Sequence, residues 1–108
     1  MERKRTMVEI ITPEELKNKL AAGEKLEIVD VREEEEVAEG MIPQAKHIVM
    51  GSIPERLNEF DKDKEYIFVC RSGARSGNVC LFMQGQGYKV RNMVGGMLEW
   101  TGETAPKK

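Results

Sequence analysis

The run Tyr66-Ile67-Phe68-Val69-Cys70-Arg71-Ser72-Gly73-Ala74-Arg75-Ser76 passes from an apolar stretch into a cysteine and then a short polar loop carrying two arginines. The residues ahead of Cys70 are aromatic or β-branched, which predicts a buried strand. Beyond the loop, Val79, Cys80 and Met83 follow the spacing of an amphipathic helix, predicted over Ser76 to Gln86 with Gly85 and Gly87 as its stop. Cys70 is thereby placed at the carboxyl end of a strand. In an open α/β sheet ligands bind there, because the loop leaving the strand and the N-terminus of the next helix face one crevice.

Such a loop is an anion site. Residues Arg71, Ser72, Gly73, Ala74, Arg75 and Ser76 offer successive backbone N–H groups that a tight turn points inward, and the first N–H groups of a helix have no intrahelical partner. The helix end contributes about half a positive charge, and Arg71 and Arg75 add full ones. These donors favour the Cys70 thiolate, which predicts a thiol titrating below its ordinary value. The thiolate is the nucleophilic form, and the same donors would hold an anionic adduct on sulfur, such as a persulfide. A cysteine serving only as a small hydrophobe prefers apolar neighbours, and this one is followed by Arg, Ser, Gly and Arg.

The rest of the chain alternates predicted strands and helices, the signature of a parallel α/β sheet. Glu9 to Ile11 reads as a strand. Thr12-Pro13-Glu14-Glu15 supplies an N-cap, a proline at the first helical position and an acid at N3, so a helix is predicted to about Ala22, ended by Gly23. Leu26 to Val31 reads as a buried strand, with Asp30 and Arg32 at its carboxyl end beside the crevice. Glu33 to Glu39 is a predicted helix whose acidic start complements the helix dipole. Lys46 to Val49 is a predicted strand, Ile53 to Phe60 a helix, Tyr88 to Val94 the last strand and Met97 to Thr101 the last helix. The predicted folded unit is Val8 to Thr101, with loose tails at 1–7 and 102–108.

Four segments resemble the single-domain rhodanese family. Asp30-Val31-Arg32-Glu33 with Glu36, Gly40, Ile42-Pro43 and Ala45 is similar to its amino-terminal motif. Cys70 to Ser76 is similar to its active-site loop, Val94-Gly95-Gly96-Met97 with Trp100 to its Gly-Gly turn, and Ile10 to Leu16 to its first strand and helix. The chain departs from the pattern at Met41, where the family has His, and at Gln44, where it has Gly. The resemblance implies a single rhodanese-like domain, a central parallel five-stranded sheet flanked by helices on both faces. It implies a thiosulfate sulfurtransferase-like enzyme in which Cys70 carries a persulfide cradled by its followers, with no cofactor. Its partners would be a small anionic sulfur donor such as thiosulfate and a thiol, cyanide or sulfur-accepting protein. Arg71 and Arg75 would steer the donor, and Asp30 and Arg32 would form an ion pair bracing the loop.

Two other readings share these residues. A module that binds partners or carries sulfur without catalysis uses the same fold, although Cys70 is present here. Cysteine-dependent phosphatases and arsenate reductases place five residues between nucleophile and arginine, whereas Arg71 to Ala74 make four between Cys70 and Arg75. The smaller ring suits one sulfur atom better than a tetrahedral oxyanion, and nothing in the pattern aims a general acid at Cys70.

Composition sets outer bounds. With 108 residues the chain makes one domain and buries about two thirds of its unfolded surface. Seventeen basic and nineteen acidic residues are interspersed, giving a net charge of -2 and no basic stripe for nucleic acid. Arg3-Lys4-Arg5 reads as a solvated arm. No stretch approaches the ~18 apolar residues of a bilayer span, and the N-terminus lacks the apolar core of a signal peptide, so a soluble cytoplasmic protein is expected. Cys80 falls on the apolar face of the helix and reads as core. His47, the only histidine, reads as structural, and one His with two separated Cys offers no metal set.

Overall fold

The alternation of Tyr66, Phe68 and Cys70 with Ile67 and Val69 gives one strand two apolar faces, so it must lie inside a sheet covered on both sides. The computed structural model, which describes residues 8–107, shows that arrangement. Five strands form one parallel sheet: β1 (Glu9–Ile11), β2 (Glu27–Asp30), β3 (Lys46–His47), β4 (Glu65–Val69) and β5 (Lys89–Met93), in the order β1-β5-β4-β2-β3. The strand ending at Cys70 is the central one. The expected α/β class and five-stranded parallel sheet are both present.

Three α-helices, α1 (Pro13–Ala21), α2 (Glu34–Glu39) and α3 (Ala74–Gly85), and three short 3-10 segments fill the connections. On one face α3 and the 3-10 turns after β3 cover Phe68, Val29, Ile53, Phe60, Cys80 and Met83. On the other, α1 and the 3-10 turn after β5 cover Ile11, Leu16, Ile28, Ile67, Val69 and Met93. Burial of such a side chain is worth about 1.5–3 kcal/mol, and Leu16, Phe68, Val69, Met83 and Met93 lose all contact with water.

Local chemistry sets the element ends. The Thr12 hydroxyl accepts the Glu15 N–H at 3.0 Å while the Glu15 carboxylate accepts the Thr12 N–H at 2.9 Å, closing the predicted capping box over α1. α2 begins at Glu34 rather than Glu33, because the Glu33 N–H is turned back to the Glu36 carboxylate at 2.8 Å and caps the helix. α3 begins at Ala74, two residues earlier than predicted, since Gly73 in left-handed backbone (φ 101°) turns the chain directly from loop into helix.

Two predicted helices are 3-10 instead. Over Ile53 to Phe60 the chain forms 3-10 turns at Met50–Ser52 and Pro54–Glu59, with Arg56 outside helical backbone (φ −115°, ψ 23°). A segment this short, with a proline lacking its N–H, gains little from α-type bonds and follows the packing of Ile53 and Leu57. Met97 to Thr101 likewise yields to a 3-10 turn at Gly96–Glu99, because Trp100 is already extended.

The expected loose carboxyl tail is tied down over its described part. Met41 and Ala105 exchange two backbone hydrogen bonds of 2.8 Å, and the Lys107 N–H donates to the Val37 carbonyl at 3.0 Å. Met41 presents free backbone groups on a short bridge, and the tail satisfies them; no residue pattern announces such a pairing. The predicted tail at 1–7 lies outside the described residues.

Candidate active site

Central position in the sheet delivers Cys70 into a loop wrapped over its own sulfur. The residue has no exposed surface. Its Sγ accepts the Gly73 N–H at 3.1 Å, the Ser76 N–H at 3.3 Å and the Ser76 hydroxyl at 3.3 Å. Burial pushes the thiol up, but the donors of Ser76, Gly73 and Ser72 together outweigh it, and Cys70 titrates below the ordinary thiol value. The expected direction is present. Its leading cause is the set of dipoles around the sulfur, and Arg75 is coupled to the same thiol by charge.

Arg75 has a protein partner that the sequence does not announce. Its guanidinium forms a two-pronged pair with Glu36, both hydrogen bonds 2.8 Å, across 39 positions of sequence. This fork clamps α2 to the first turn of α3 and holds the Glu36 carboxyl well below its usual 4.5, at about 2. A cation so matched has little left for a substrate anion. Arg71 remains exposed and lines an open cleft with Arg32, Gly40, Met97 and Leu98.

Asp30 and Arg32 form the expected ion pair, buried, with Arg32 Nη2 2.8 Å from Asp30 Oδ2. The same Nη2 donates to the Gly40 carbonyl at 2.8 Å, so the pair braces the turn after α2 rather than the cysteine loop itself. His47 is satisfied structurally, its Nε2 2.7 Å from the Arg32 carbonyl and its Nδ1 3.0 Å from Lys107 Nζ. Cys80 lies buried among apolar neighbours, where burial and then the nearby Cys70 push its thiol up to about 12.

The turn after β5 buttresses the loop from the other side. The Met97 and Leu98 N–H groups donate to the carbonyls of Cys70 and Arg71 at 2.9 and 3.0 Å. Gly96 (φ 58°) permits this approach: a Cβ there would sit 2.5 Å from the Arg71 carbonyl carbon and 2.6 Å from the Cys70 carbonyl oxygen.

The family model for rhodanese-like domains matches residues 12–103. The chain belongs to the rhodanese family. A Bacillus subtilis (strain 168) relative named "Putative sulfurtransferase YtwF" is 62% identical over 92 residues, covering 85% of this chain and 89% of that protein. A protein of Allochromatium vinosum named "Sulfurtransferase" is 42% identical over 101 residues, covering 93% and 94%. Among solved structures, a rhodanese-like domain protein from Staphylococcus aureus superposes with a TM-score of 0.86 at 44% identity, covering 94% of this chain and all of that one. The two departures from the rhodanese pattern fall away from the sulfur: Met41 pairs with the carboxyl tail, and Gln44 borders a groove beside α1.

The sequence reading overlooked Asn92 on β5. Its Oδ1 lies 2.5 Å from the Ser76 hydroxyl oxygen and its Nδ2 donates to the Gly73 carbonyl at 3.0 Å, so it touches both residues that hold the sulfur. One signal was available: asparagine is depleted in strands, and here it falls inside a predicted one.

Proposed function

We propose that this rhodanese is a sulfurtransferase that moves sulfane sulfur from an anionic donor such as thiosulfate to a thiophilic acceptor through a Cys70 persulfide. The observation that carries the reading is the convergence of the Gly73 N–H, the Ser76 N–H and the Ser76 hydroxyl on one sulfur at 3.1 to 3.3 Å. The sulfurtransferase names of its relatives support it.

In the first half-reaction the Cys70 thiolate attacks the outer sulfur of thiosulfate, the S–S bond of the donor breaks with its electron pair, and sulfite leaves. The outer sulfur stays on Cys70 as a persulfide anion, solvated by the N–H groups of the loop from Arg71 through Ser72, Gly73, Ala74 and Arg75 to Ser76. In the second, cyanide or a thiolate attacks that sulfur, and Cys70 departs as thiolate. Each step conserves charge, and neither calls for a cofactor. With Arg75 held by Glu36, Arg71 is the cation that draws the donor in, while Asp30 and Arg32 keep the adjoining turn in place.

Intact-protein mass spectrometry after brief exposure to thiosulfate tests the proposal. The expected result is a gain of about 32 Da that is absent in Cys70→Ser and is discharged by cyanide, as covalent catalysis requires. Absence of the adduct with thiosulfate and with persulfide donors alike would overturn it in favour of a binding module.

A further inference from the structure

Asn92 follows from the register of the sheet. β4 and β5 pair with Phe68 opposite Asn92, and Cys70 lies two residues beyond Phe68 on the same face. The amide therefore points to the side occupied by the cysteine loop and the start of α3. Space is reserved for it on α3 by Gly77, where a Cβ would stand 3.3 Å from Asn92 Nδ2.

Hydrogen counting then fixes what the amide does. The Gly73 carbonyl has no hydrogen to give, so Nδ2 faces it and Oδ1 faces Ser76, where it can only accept. The Ser76 hydroxyl is buried, with one hydrogen and two neighbours that can receive it, Asn92 Oδ1 and Cys70 Sγ. While Sγ is an uncharged thiol or the inner sulfur of a persulfide, the hydroxyl donates to Asn92. A thiol S–H in turn donates to Ser76 Oγ, and every buried polar hydrogen is satisfied. Once Sγ becomes a thiolate it is the stronger acceptor, and the hydrogen swings to it.

We propose that Asn92 is a positioning residue that parks the Ser76 hydrogen when Cys70 is uncharged and releases it as negative charge arises on the sulfur. As a role in sulfur transfer this rests on the function proposed above: the Ser76 hydrogen moves to Sγ as Cys70 departs from the persulfide, so Ser76 stabilises the leaving thiolate, while Asn92, holding that hydrogen beforehand, steadies the uncharged state. As a control on Cys70 ionisation it stands without that reading, acting beside the Arg75 guanidinium and the buried Cys80 thiol of α3, the charged and titratable groups coupled to Cys70, which every variant below retains.

The test is the pH dependence of Cys70 alkylation in the absence of any sulfur donor, measured in Asn92→Ala, Ser76→Ala and the double variant, with Asn92→Val as a second substitution suited to a strand. Asn92 competes with the thiolate for a hydrogen, so its removal lowers the Cys70 midpoint, by about half a pH unit or more, the equivalent of one neutral hydrogen bond. Ser76→Ala raises the midpoint, and adding Asn92→Ala to it then changes nothing. A purely bracing asparagine gives the opposite sign, since slackening Gly73 and Ser76 withdraws donors from the thiolate. An upward or absent shift in Asn92→Ala and Asn92→Val, or an equal shift with and without Ser76, overturns the proposal. Because no donor is present, that failure is separate from a missing 32 Da adduct.

Discussion

At the scale of single residues, the two thiols are told apart by where hydrogen-bond donors end. Cys70 and Cys80 belong to the same apolar cluster and are both fully buried, yet their thiols move in opposite directions. Cys80 meets only burial and a like-charged neighbour, whereas Cys70 meets four donors that more than offset burial. Gly96 is the residue on which this geometry most depends. In Gly96→Ala the new Cβ must enter the carbonyls of Arg71 and Cys70 from a left-handed backbone, so the variant is expected to lose about 3 kcal/mol or more of stability and to release the loop. Urea denaturation with Cys70 alkylation kinetics checks this; a stable variant with unaltered alkylation would show that the turn does not set the loop.

Among the elements, α2 and α3 are held together across the site by Glu36 and Arg75. Glu36 has its carboxyl lowered from 4.5 to about 2 by the hydrogen bonds from Arg75. A carboxylate with a depressed folded pKa contributes stability that is fully present above its unfolded value and is lost as pH falls through the folded one. Thermal melts are therefore expected to show an acid-dependent loss between about pH 4.5 and 2 that is smaller in Glu36→Gln, while the variant is less stable than the parent at pH 7. Equal melting temperatures at pH 7 would reduce the clamp to a surface pair. Both helices are legible in the sequence, from four acids opening one and the apolar spacing of Val79, Cys80 and Met83 in the other. Their pairing is not, because the partners are 39 positions apart, and locally Glu36 reads as part of an acidic helix start and Arg75 as part of the anion loop.

At the scale of the molecule, the sheet order β1-β5-β4-β2-β3 puts the cysteine strand at the centre and brings the turn after β5 against its loop. The carboxyl tail closes the other side through Met41, Val37 and, by Lys107 Nζ, Glu34 at 3.2 Å. Ending the chain at Thr104 is expected to cost about 2 kcal/mol, the net worth of the backbone hydrogen bonds lost, with the sulfur site intact. Unchanged urea stability would make the tail a bystander. The sequence by itself determined the class of the fold, the strand that ends at Cys70, the loop of donors after it and the downward shift of its thiol. Those features depend on neighbours in the chain, through side-chain periodicity, capping and the orphan N–H groups of a helix start. Only the tertiary structure decided that Arg75 pairs with Glu36, that Asn92 reaches Ser76, and that the tail folds back on Met41. Each joins residues far apart in sequence, and only the packing of strands, helices and tail against one another brings them within hydrogen-bonding distance.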